Sequence, residues 1–143
     1  HDRDIIVGLV RPERRNIGLL LDGGPDLVGS VDGLAVVRVK PSAAKRFPQE
    51  WLFAALRSEA CRLQLWTESG GTSYGKLTLD HIRNVLIPMS TRREIAATAR
   101  TVTAWSAAVQ EAARLWQEIG TAEDRVPIVN SSPVGLAPDG DDE

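Results

Sequence analysis

Between Thr91 and Gly120 the apolar residues follow a seven-residue repeat. Ile95, Val102, Val109 and Trp116 form one series, and Thr98, Trp105, Ala112 and Ile119 form a second, three residues further on. A strict seven-residue repeat keeps a narrow stripe on one neighbour, as the a and d positions of a coiled coil do. Thr91 and Glu94 have the spacing of a capping box, in which each satisfies an orphan amide of the other. Gly120 suits a left-handed terminus. The spacing therefore predicts one continuous helix over 92–119. Alone in water that helix would expose two tryptophans, so it must pack on something. It can lie on the domain's own sheet, as amphipathic helices usually do. The narrow stripe favours a second helix instead. The chain shows no other long helix of this kind, so the expected partner is another copy. Ile95, Val102, Trp105, Val109, Trp116 and Ile119 would form the homodimer interface. On that reading, lysine at both Val102 and Val109 yields monomers with a folded sheet domain.

The earlier part of the chain changes period twice. Ile5–Val10 reads as a buried strand ended by Arg11-Pro12, since proline cannot donate to a sheet ladder. Ile17–Leu21 is a second strand, closed by the turn Asp22-Gly23-Gly24-Pro25. Leu27–Ser30 is a brief third, and Leu34–Lys40 a fourth, rich in β-branched residues. After Pro41, Trp51, Leu52, Ala55 and Leu56 share one helical face, predicting a helix from Pro48 to about Leu63. Gln64–Glu68 fits no single pattern. Ser69–Gly75 reads as a loop, Thr78 as the cap of a helical turn reaching Arg83, and Val85–Ile87 as a short strand. These elements predict an α+β fold: a small mixed or mainly antiparallel sheet, short helices and one long C-terminal coiled-coil-like helix. The expected organisation is a sheet-bearing domain over 1–90, a spacer or dimerisation helix over 91–120 and a tail over 121–143.

Composition narrows the classes of function. The chain of 143 residues is the size of one ordinary domain. No apolar run approaches the roughly 20 residues that a membrane helix needs, and no signal-peptide pattern opens the chain. Cys61 is the sole cysteine, which excludes an internal disulfide and favours a reducing, cytoplasmic setting. No metal-ligand cluster, phosphate-cradling glycine loop or nucleophile–base pair is present, and no cofactor is expected. His81, beside Asp80 on a polar turn, reads as a capping or solvated histidine. A catalytic role is not expected. Charge is uneven along the chain. Residues 1–93 carry 14 Lys+Arg against 10 Asp+Glu, and residues 94–143 carry 3 against 9. The first part is mildly basic despite an overall charge of −2, which permits phosphate contact there.

Two loops carry the residue types that such contact needs. Arg11, Arg14, Arg15 and Asn16 lie between two strands. Arginine forks match phosphate oxygens and the acceptor edge of guanine, and asparagine matches adenine. The second loop, Ser69, Gly70, Gly71, Thr72, Ser73 and Tyr74 followed by Lys76, offers hydroxyls and a lysine. Its glycines let backbone approach a sugar-phosphate chain closely. A solvated hairpin tip and a surface loop would account for the same compositions.

The order of elements resembles the target-recognition domains of type I restriction-modification specificity subunits. Asp4-Ile5-Ile6-Val7, Arg11-Pro12 and Asn16-Ile17-Gly18 are similar to that family's opening strand–loop–strand. Val36–Pro41 resembles its strand ending in a cation and proline. The Trp51-Leu52 helix, with Leu56 and Ser58, falls where the family has its first helix. Gly70-Gly71-Thr72, then Leu79, Ile82 and Ile87-Pro88, resemble its next stretch, and the helix from about Glu94 resembles its long spacer. The resemblance covers about residues 4–119. The chain departs from the family pattern at Pro88-Met89-Ser90 and at Ile95. Family domains carry further residues before the opening strand, so the chain resembles the C-terminal part of one such domain. The resemblance implies a sequence-specific DNA-binding specificity module that directs methyltransferase and restriction subunits to double-stranded DNA and is not itself an enzyme. The competing expectation is an assembly module that docks through its heptad helix without touching DNA.

Overall fold

A computed structural model of the chain describes residues 3–21, 32–70 and 75–123. The turn expected at 22–25, the brief strand at 27–30, Gly71–Tyr74 and the tail from Val126 lie outside the described residues. The elements in chain order are β1 (Ile5–Gly8), a 3-10 turn (Pro12–Arg14), β2 (Ile17–Leu19), β3 (Leu34–Val37), α1 (Pro41–Ala44), α2 (Gln49–Leu56), α3 (Glu59–Glu68), α4 (Leu79–Asn84) and α5 (Arg92–Glu123). The class is α+β, and the expected long helix is continuous. Two units divide the chain, His1–Gln110 and Glu111–Glu143.

The first unit is built on a three-stranded sheet in the order β2-β1-β3, antiparallel throughout. Ile5 lies opposite Leu19 and Val37, and Val7 opposite Ile17 and Ala35. Side chains alternate across a strand, so Ile5, Val7, Ile17, Leu19 and Ala35 are all buried. With Leu9 and Leu77 they join Phe53 and Leu56 of α2, Leu65 of α3 and Val102 of α5 in one core. Burying each large aliphatic or aromatic side chain stabilises by roughly 1.5–3 kcal/mol.

The strands are shorter than the sequence predicts, and the hydrogen bonds say why. After Gly8 the first strand gains a second partner. Leu9 N–H donates to Gly33 O (2.9 Å), Leu9 O accepts from Leu77 N–H (2.7 Å), and Val10 bridges Lys76. β3 ends at Val37 because a side chain takes over its pairing. Val39 N–H donates to Gln49 Oε1 (2.7 Å), and Gln49 Nε2 donates to Val37 O (2.9 Å). Gln64 does the same at Leu86, accepting from its N–H and donating to its carbonyl, both at 2.9 Å. Residues 85–87, expected as a strand, are therefore extended chain paired with a side-chain amide and not with a sheet.

The single helix expected to reach Leu63 is broken. α2 stops at Leu56, and Ser58 restarts the chain as the N-cap of α3, its hydroxyl accepting from Cys61 N–H (3.4 Å). The residues that fitted no pattern, 64–68, are helical. Both caps read from sequence form. Thr91 and Glu94 make the reciprocal bonds of a capping box. At Thr78 the third-residue partner is His81, whose Nδ1 accepts from the Thr78 N–H.

One buried carboxylate lies beside the sheet, paired with an exposed arginine. Asp4 is only 4% exposed and accepts from Arg38, whose Nε lies 2.6 Å from Oδ1. The Arg38 hydrogen bonds hold the Asp4 carboxyl below the ordinary range. A lowered folded-state pKa contributes stability that is present above the ordinary carboxylate pKa, about 4, and is lost as pH falls through the folded value. Asp4→Asn is expected to cost about 1–3 kcal/mol at pH 7 and to flatten the loss of stability as pH falls from about 5 to about 2. Urea midpoints across that range check this. Parallel acid profiles for both proteins would count against it.

Candidate nucleic-acid interface

The two loops singled out from the sequence are neighbours. Where Leu9 and Val10 leave the sheet they pair with residues 75–77, and Arg11 N–H donates to Gly75 O at 3.1 Å. That short antiparallel ladder lays the arginine loop against the far end of the glycine loop, with Lys76 bridged to Val10. Leu77, 1% exposed, anchors it in the core.

The arginine loop is compact. Arg11 and Arg15 both adopt left-handed backbone, φ 56° and 52°, on either side of the 3-10 turn. A residue with a Cβ costs roughly 1–2 kcal/mol in that region, and such strain persists only where surroundings fix it. Here Arg14 N–H donates to Arg11 O, Arg15 N–H to Pro12 O, and Ile17 N–H to Arg15 O. Gly8 must be glycine for the loop to close, because a Cβ there would come within 2.8 Å of the Asn16 Cβ. The result presents Arg14, Arg15 and Asn16 as exposed side chains, while Arg11 is partly covered.

Arg15 is held from outside the loop. Its guanidinium pairs with Glu59 at the start of α3, and Glu59 also accepts from Arg62 one turn on, Nε lying 3.0 Å from both carboxylate oxygens. The Arg62 hydrogen bonds, followed by the Arg15 charge, hold the Glu59 carboxyl below its ordinary range. Arg14 has no such partner among the described residues. Neither Glu59 nor Arg62 stands out in the sequence. Their three-residue spacing is legible as a helix pair, but its place beside the 3-10 turn is a tertiary fact.

Of the second loop, Ser69, Gly70, Gly75 and Lys76 are described, and Gly71, Thr72, Ser73 and Tyr74 lie outside the described residues. Ser69 and Gly70 close α3: Ser69 Oγ donates to Trp66 O at 2.7 Å, and Gly70 takes φ +85° as helix-terminating glycines do. Gly75 faces Ser69 so closely that a Cβ would lie 2.6 Å from the Ser69 Cβ. The two ends of the loop therefore touch. Comparison with family models, with curated proteins and with solved structures finds no match. The reading of this surface rests on its own chemistry.

That chemistry is cationic, with exposed Arg14, Arg15 and Lys76 grouped around one ladder. Groups that could hold a metal are absent among the described residues, and no helix there is long and apolar enough to cross a membrane. Cys61 is fully buried, its Sγ 3.8 Å from Leu86 O, and burial raises its thiol pKa. A raised pKa makes it a poor nucleophile.

The residues expected on a partner helix divide. Ile95 and Val102 are buried at home, 5% and 9% exposed. Trp105 stacks on Phe53 with ring centroids 5.7 Å apart, yet stays 47% exposed. Val109 is 40% exposed. In the second unit Trp116 and Ile119 are exposed at 75% and 49%, and Arg114 pairs with Glu111 and Glu118.

Proposed function

We propose that this chain is a DNA-reading module that carries no catalysis of its own. Its basic ladder edge contacts the backbone and base edges of double-stranded DNA. The observation that supports this best is the pairing of residues 9–11 with 75–77. It groups the two regions of the sequence best suited to phosphate contact on one edge of the domain. Arg14 and Arg15 serve phosphate or guanine, Asn16 an adenine edge, and Lys76 with the glycine loop mainly the backbone. In keeping with the resemblance to type I specificity subunits, the module works in the cytoplasm and delivers methyltransferase and restriction subunits to the target. α5 supplies its contact to partners, including a second copy.

The test is duplex binding by the full chain, followed by fluorescence anisotropy over a range of salt. Contacts to three or four phosphates give a log–log slope of roughly −3 to −4. Absent binding, or binding indifferent to salt, would remove the DNA reading. The assembly reading is favoured by a separate observation, the exposure of Trp105, Val109, Trp116 and Ile119 along α5. It predicts self-association or capture by a larger protein that persists at high salt. Sedimentation in about 1 M salt, where surface charge is screened within a few ångströms, checks it: a monomer at high micromolar concentration would set the homodimer aside.

A further inference from the structure

We propose a second anion site, for a phosphate group, in the cleft between the α1–α2 turn and the first turn of α5. Lys45, Arg46, Pro48, Arg92, Ile95 and Ala96 line this cleft of about 360 Å³. It lies wholly in the first unit and apart from the arginine loop. Its walls carry three cationic side chains and no acidic one. Elsewhere in the described chain, arginines are commonly matched by carboxylates: Arg3 by Glu50, Arg15 and Arg62 by Glu59, Arg38 by Asp4, Arg83 by Asp80. Lys45, Arg46 and Arg92 enter no ion pair among the described residues. The nearest acid in sequence, Glu94, is committed to the Thr91 cap.

Three like charges around one hollow repel one another, and an anion of matching size relieves that repulsion. One of the cations, Arg46, is also held in place. The Arg46 and Phe47 N–H groups both donate to Ala43 O at 2.9 Å, and the Arg46 guanidinium lies 5.0 Å from the Phe47 ring centre. Phe47 in turn stacks on buried Trp51, centroids 5.2 Å apart. Pro48, Ile95 and Ala96 supply an apolar floor. Cations at the rim and an apolar floor suit a phosphate attached to a sugar or a similar carbon frame. That chemistry has two sources, the backbone of a nucleic acid or a free phosphorylated compound. Only the first source rests on the DNA reading.

Two probes separate them, inorganic tripolyphosphate and a short duplex, each titrated into the full chain while the amide signals of Ile95 and Ala96 are followed by NMR. The expected result is a saturable shift of both amides. Binding should weaken by about tenfold or more in the Lys45→Gln/Arg92→Gln chain, as expected when charge-assisted hydrogen bonds are removed. Arg14→Ala/Arg15→Ala should leave the tripolyphosphate shifts in place. If the double glutamine variant loses affinity for both probes, the phosphate comes from nucleic acid. If it loses tripolyphosphate alone, the ligand is a free phosphorylated compound. A chain that takes tripolyphosphate here and ignores the duplex keeps this site while the DNA reading fails. Unshifted Ile95 and Ala96 amides in the unmodified chain overturn the proposal, as does equal affinity in the variant.

Discussion

Val102→Lys is expected to unfold the sheet domain, whereas Val109→Lys is expected to leave it folded. Val102 belongs to the core formed with Ile5, Val7, Leu65 and Leu77. An ammonium placed there either loses its hydration without a partner or drags this turn of α5 out of the core. Uncompensated buried charges cost about 3–5 kcal/mol, against total stabilities of about 5–15 kcal/mol for domains of this size. Val109, 40% exposed, leaves a lysine room to reach water, and surface changes of this kind fall within about 0.5 kcal/mol. Circular dichroism and urea titration of the two single variants check the contrast. Two similar unfolding curves would show that Val102 is not a core residue. The consequence for self-association is direct. The pair Val102 and Val109, which the sequence offers as a test of dimerisation, would confuse unfolding with dissociation. Lysine at Val109 and Trp116 tests the interface while sparing the core.

The reason the heptad pattern misplaces Val102 lies in helix geometry. A seven-residue repeat gives every member of a series equal standing, but in a straight α-helix each heptad drifts by about 20°. The buried stripe of α5 runs through Ile95, Val102 and Ser106, the last 0% exposed. Ser106 belongs to neither heptad series. Its hydroxyl donates to Thr103 O at 2.9 Å, which lets a polar residue sit at a buried position. Val109 has rotated off that stripe and is exposed. The helix and its cap are legible because both depend on local spacing. Which turns of it are buried depends on where the core lies, and the repeat does not encode that.

The same division runs through the rest of the chain. The three described strands and the caps at Thr78 and Thr91 follow from alternation and from local hydroxyl–amide bonding. The strand ends do not follow, because two glutamines replace backbone as partners. Gln49 and Gln64 look like surface polar residues in a sequence, and nothing local marks them as mimics of a neighbouring strand. The break at Ser58 is hidden by apolar residues on both sides of it. For the candidate interface, the residue types are legible and their grouping is not. The ladder that joins residues 9–11 to 75–77 brings together distant parts of the chain and rests on the burial of Leu77.

Arg14→Ala/Arg15→Ala is expected to weaken duplex binding by about ten- to a thousandfold at low salt, since each charge-assisted hydrogen bond contributes about 1.5–3 kcal/mol. The salt slope should become shallower by about one unit for each phosphate that the variant no longer neutralises. The change is readable as chemistry because alanine keeps the Cβ. The left-handed backbone of residue 15 is as strained with alanine as with arginine, so the loop has no new reason to rearrange. The two positions should differ. Arg14 has no side-chain partner among the described residues and is free to meet DNA directly. Arg15 must leave Glu59, or share it with Arg62, before it serves a phosphate. Arg14→Ala alone should therefore cost more than Arg15→Ala alone. In the Arg15→Ala chain the Glu59 carboxylate stays matched by Arg62, so no unpaired acid appears at the edge to repel DNA. If the double variant binds duplex as the unmodified chain does, with an unchanged salt slope, the arginine loop is not part of the interface. The cationic edge would then have to be read through Lys76 and the glycine loop alone.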